Sequence, residues 1–70
     1  MIPVYVREDL ECGGVLFGEF SPSELPALIQ RFRDHETYLP EKEYSCCFYS
    51  SQFVADNNGV FFEIVVEKGS

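Results

Sequence analysis

The sequence predicts an α+β fold of order ββαββ, one helix packed on a four-stranded antiparallel sheet. Three features predict it. Ile2, Val4 and Val6 alternate with Pro3, Tyr5 and Arg7, the period-two signature of a strand with one buried face. Leu25, Leu28, Ile29 and Phe32 follow the i, i+3, i+4, i+7 spacing of a helix with one apolar stripe. Val60, Phe62, Ile64 and Val66 alternate with Phe61, Glu63, Val65 and Glu67, a second and longer half-buried strand.

The elements follow in order. Pro3 has no N–H for a ladder, so the first strand is expected at a sheet edge or paired only beyond Pro3. Glu8 to Gly14 reads as an acidic loop ending in the turn signal Gly13-Gly14, and Val15 to Phe20 as the second strand of a hairpin. Ser21 and Glu24 have capping-box spacing, and Pro22 suits the first helical position, where its missing N–H costs nothing. Pro26 restricts Leu25 and offers a second start, with Ser23 as the cap. The helix should end between Asp34 and Glu36, ahead of Pro40.

Thr37 to Glu43 reads as a connector and Tyr44 to Ser51 as the third strand, with Tyr44, Cys46 and Phe48 on one face and Ser45, Cys47 and Tyr49 on the other. Asp56-Asn57-Asn58-Gly59 is a turn signal, because Asn and Gly tolerate positive φ. On the last strand Val60, Phe62, Ile64 and Val66 should face the core, and Phe61, Glu63, Val65 and Glu67 the other side.

Residues 1–70 read as one domain. A chain this short buries only about 60% of the surface its unfolded form exposes, so aromatic bulk matters; seven Phe and four Tyr supply it. Cys12, Cys46 and Cys47 make an odd set, and adjacent cysteines on a strand diverge. Free thiols and a cytoplasmic location are therefore expected. No basic leader or apolar run approaching ~20 residues is visible, and no membrane association is expected.

Catalytic constellations are missing from the sequence. The single His35 lies beside Asp34 and Glu36 at the expected helix end, and Cys12 sits between acids that raise a thiol pKa. Cys12, Cys46, Cys47 and His35 lack zinc-ligand spacing. There is no phosphate loop, dinucleotide fingerprint or calcium loop. Neither an enzyme nor a cofactor is expected.

Charge is the distinctive feature. Five basic against twelve acidic residues give −7, a field that repels phosphate backbones and attracts basic surfaces. Glu8, Asp9 and Glu11 crowd the first loop, Glu41 and Glu43 precede the third strand, and Glu19, Glu63 and Glu67 are expected on the outward face of the sheet beside Phe61. Rows of carboxylates on a rigid scaffold imitate the phosphates of a duplex. These nine residues are the candidate contacts to a basic, nucleic-acid-binding protein surface, with no direct binding of nucleic acid. Whether the chain acts as a monomer or dimer stays open.

In size, charge, strand–helix–strand plan and lack of catalytic motifs, the whole chain resembles the small acidic inhibitors encoded by phages and mobile elements, the anti-CRISPR and antirestriction proteins, several of which are DNA mimics. The resemblance implies that the domain blocks a DNA-binding surface of a host defence complex in the host cytoplasm. It assigns no residue a role. The competing expectation is a small structural or regulatory module that binds through the apolar residues Tyr49, Phe61 and Val65.

Overall fold

The structure, a computed structural model, describes residues 1–11, 13–38 and 43–69. Its elements are β1 (Ile2–Glu8), β2 (Val15–Phe20), α1 (Leu25–Asp34), β3 (Thr37–Tyr38), β4 (Ser45–Asp56) and β5 (Gly59–Lys68). The sheet order is β2-β1-β5-β4-β3: four long strands and the two-residue β3, with α1 against one face. The connector expected over Thr37 to Glu43 thus contributes a short strand at Thr37–Tyr38.

The sheet is mixed, which corrects the antiparallel expectation. β1–β2, β4–β5 and β3–β4 pair antiparallel, but β1 and β5 pair in parallel from Val4↔Phe62 to Glu8↔Val66. The cause is topological. One helix returns the chain across the sheet between two hairpins, so the first and last strands run the same way. Placing them side by side makes the central pair parallel. These strands also carry the β-branched residues Val4, Val6, Ile64, Val65 and Val66, and parallel strands favour burial on both faces. β1 is therefore internal rather than at an edge. Pro3 is accommodated because pairing with β5 begins only at Val4.

The helix entrance combines both expected starts. Pro22–Glu24 forms a 3₁₀ turn and regular α-helix begins at Leu25, with Pro26 in its first turn. The Glu24 carboxylate accepts from the Ser21 N–H and hydroxyl, both at 2.9 Å, and the Glu24 N–H donates to the Ser21 carbonyl at 2.9 Å. These bonds to the Ser21 backbone and side chain hold the Glu24 carboxyl below its usual range. Leu25, Leu28 and Phe32 enter the core with Val4, Val6, Cys46, Phe62, Ile64 and Val66. Burying such residues drives folding at about 25 cal/mol per Å² of apolar surface.

Two bulges change which face residues occupy. The β4–β5 register skips Tyr49 between Phe48↔Val66 and Ser50↔Val65. Beyond it the alternation is inverted: Ser51 and Phe53 lie opposite Ile64 and Phe62, on the helix side, and the Phe53 and Phe62 rings meet at 5.0 Å. β4 also continues to Asp56 rather than stopping at Ser51. In β2 the register skips Phe17, whose ring packs edge-on to Phe32 at 5.4 Å. The β4–β5 turn uses Asn57 and Asn58 without positive φ: Asp56 Oδ1 accepts the Asn58 N–H at 2.8 Å, and Gly59 alone takes φ +126°.

Val65 corrects a further expectation. It lies on the face away from α1, yet only 3% of it is exposed. Its sheet partners there are Arg7 and Ser50. Arg7 spans the face toward Glu63, and a long side chain laid along a sheet shields apolar surface beneath it.

Candidate functional site

The topology brings most of the acids to one end of the molecule. β1 and β5 are parallel, so both end there, and β4 begins there. α1 reaches the same end, because its C-terminus leads through Glu36 to Thr37, which pairs with Cys46. Glu8, Asp9, Glu11, Asp34, Glu36, Glu43 and Glu67 therefore share this end, seven of the twelve carboxylates of the chain. The link is physical at several points. Asp9 donates its N–H to the Val66 carbonyl at 2.7 Å, Glu67 lies opposite Cys47, and Ser45 donates to Glu36 Oε2 at 2.9 Å. The negative end of the helix dipole adds to this field.

Two cations at this end lie over rings, while Arg7 pairs with Glu63 and donates to the Glu11 carbonyl at 3.3 Å. Lys68 Nζ lies 5.0 Å from the centroid of Tyr44, and the Arg33 guanidinium 5.2 Å from that of Phe48. Cys47 reports the local field: partial burial first, then the carboxylates of Glu36 and Glu67, push its thiol up. Its Sγ faces Glu36 Oε1 at 3.8 Å, while the adjacent Cys46 is fully buried in the core on the opposite face.

Not every candidate acid has the same standing. Glu11, Glu19, Glu43 and Glu67 are exposed. Glu8 is half-buried on the helix side, and its two oxygens accept from the Tyr44 hydroxyl at 2.9 and 2.7 Å. Glu63 lies mid-sheet, where Arg7 Nε approaches Oε2 at 3.0 Å and the Gln52 amide donates to Oε1 at 2.9 Å. Burial opposes its charge, but these partners outweigh burial and hold its carboxyl below the usual range. Glu63 therefore ties β1, β4 and β5 together. Glu41 lies outside the described residues, as does Cys12.

The face away from α1 carries a second feature. The Tyr5 and Phe61 rings meet edge-on, centroids 5.2 Å apart and planes at 75°. They border a shallow concavity of about 350 Å³ that also touches Gly14, Asp56, Gly59 and Glu63. Sequence reasoning selected Phe61 and Glu63 but missed Tyr5 and Asp56. Tyr5 was visible in the alternation as an outward residue; its meeting with Phe61 depends on the β1–β5 pairing.

Among the described residues, no group of three or more His, Cys, Asp or Glu side chains is placed to hold a metal ion, and no helix is long and apolar enough to cross a membrane. Compared with known proteins, the chain matches no family model, no curated protein and no solved structure.

Proposed function

We propose that this domain is a non-catalytic binding protein whose acidic end engages a basic, nucleic-acid-binding protein surface and so excludes nucleic acid. The observation that supports the reading is the gathering of seven carboxylates at one end of a small sheet, with Arg33 and Lys68 directed onto aromatic rings. Such a field accelerates encounter with a basic groove and repels nucleic acid itself. In its specific form the domain acts in the host cytoplasm as an inhibitor of a defence complex, of anti-CRISPR or antirestriction type.

The test reverses acids that are exposed in the structure. The intact chain, immobilised at low salt in bacterial lysate, should capture a DNA-binding protein, release it at high salt, and inhibit its DNA binding. A variant carrying Glu11→Lys, Glu43→Lys and Glu67→Lys should fold but lose inhibition by at least about tenfold, as expected when several charge contacts are removed. Unchanged inhibition by this variant overturns the reading.

A second reading has one observation in its favour: Tyr49, displaced at the β4 bulge, is 56% exposed beside Ser50 on the surface. An apolar interaction module would lose its partner on Tyr49→Ala and Phe61→Ala and tolerate the acid reversals. Val65 has no part in it, being buried.

A further inference from the structure

We infer that the concavity beside Tyr5 and Phe61 receives the guanidinium of an arginine side chain presented by the basic partner. The inference rests on the binding role proposed above and extends it to a second contact, away from the acidic end.

Four observations point to this ligand. The volume, about 350 Å³, lies near the lower limit of small-molecule sites, roughly 300 Å³, and suits one side-chain head rather than a large cofactor. Its aromatic wall is the edge-to-face Tyr5–Phe61 pair, and both residues line the concavity and are partly exposed. Among the described residues its charged lining members are Asp56 and Glu63, of which Glu63 is paired with Arg7 and Asp56 is not in an ion pair. Gly59 borders the concavity, and a Cβ there would meet nothing within 4 Å, so the rim beside Asp56 is open.

The two acids divide the work. Both Glu63 oxygens are engaged, by Arg7 and Gln52, so its charge is offset within the sheet and Asp56 carries the negative charge at the concavity. Asp56 lines the concavity, is exposed, and uses Oδ1 for the Asn58 N–H. An aromatic wall beside a carboxylate matches a planar cation with several N–H donors. Guanidinium stacks and donates at once, whereas an ammonium is a strongly hydrated point charge.

The experiment is a ¹H–¹⁵N titration of the whole chain with arginine amide, with lysine amide and norleucine amide alongside. Arginine amide should give saturable shifts centred on Gly14, Gly59 and Phe61, with a dissociation constant of roughly 1–10 mM, the range expected of a single side-chain contact. Lysine amide should bind several-fold more weakly and norleucine amide not measurably. Asp56→Asn should weaken arginine amide about three- to tenfold with the spectrum otherwise preserved, as should Phe61→Leu. Shifts that do not saturate, that centre on the acidic end, or that are equal for lysine amide overturn the inference. The Glu11→Lys, Glu43→Lys, Glu67→Lys variant separates the two ideas. It should keep arginine-amide binding within about twofold while losing partner inhibition, and loss of both would assign the response to the general field.

Discussion

At Glu63 both carboxylate oxygens are occupied, one by the Arg7 guanidinium at 3.0 Å and one by the Gln52 amide at 2.9 Å. The residue is charged, yet its charge is spent within the sheet. This has a consequence for acid stability. Its folded-state pKa lies below the unfolded value of about 4.3, because the Gln52 and Arg7 bonds outweigh burial. A group of this kind stabilises the fold above its unfolded pKa, and the contribution is lost as pH falls through the folded pKa. Glu63→Gln keeps the shape and an acceptor but removes the titration. It should cost about 1 kcal/mol at pH 7 and make the decline of stability below about pH 5 shallower. Chemical denaturation at a series of pH values checks this. A variant with the parent's full acid slope would show that Glu63 is not a source of it. Glu24, held low by its bonds to Ser21, should leave part of the slope in place.

At the scale of the element, β5 behaves differently from its alternation. Period two assigns Val65 to solvent together with Phe61, Glu63 and Glu67, but Val65 is 3% exposed. Val65→Asp therefore separates a solvated position from a buried one. Burial of an unpaired carboxylate should cost at least about 3 kcal/mol. That approaches the whole stability of a 70-residue chain, roughly 4–10 kcal/mol at typical values per residue. Glu67→Lys, two positions along and exposed, should stay within about 0.5 kcal/mol. Equal thermal midpoints for the two variants would return Val65 to the surface. The same strand shows what the sequence carries and what it does not. The core stripe Phe62, Ile64 and Val66, the helix stripe Leu25, Leu28 and Phe32, and the capping pair Ser21–Glu24 were legible because each depends on local periodicity or spacing. But Val60, expected in the same core stripe, is 53% exposed at the start of β5 beside the turn. The parallel β1–β5 pair was not, because it depends on which hairpin edges meet. The switch of face beyond Tyr49 was also hidden, since a bulge adds one residue without any break in the apolar pattern. For the candidate site, the acidic character was legible from composition. The division into exposed acids such as Glu67 and engaged ones such as Glu63 was not, because Arg7 and Gln52 are distant from Glu63 in sequence.

For the whole molecule, the parallel central pair has an electrostatic cost that antiparallel placement of the same strands would have spread out. It brings Glu8 and Asp9 from the end of β1 beside Glu67 from the end of β5, and α1 adds Asp34 at its C-terminus. Like charges gathered this way oppose the folded state more than they oppose an extended chain. The repulsion acts over distances that salt screens: the Debye length falls from about 30 Å at 0.01 M to about 8 Å at 0.15 M, against a longest molecular dimension of 34 Å. Sodium chloride raised across this range should therefore raise the thermal midpoint, whereas a paired charge such as Arg7–Glu63 on its own would weaken. Neutralising exposed members of the end through Glu11→Gln, Glu43→Gln and Glu67→Gln should lift the low-salt midpoint and flatten its dependence on salt. If the midpoint of the parent chain does not respond to salt, or the triple variant responds as steeply as the parent, the acidic end is not under repulsive load. Partner binding should move in the opposite direction, because salt that relieves repulsion within the domain also screens its attraction for a basic surface. Stability and binding thus respond to salt with opposite signs, and both responses should diminish together as the acids of this end are neutralised.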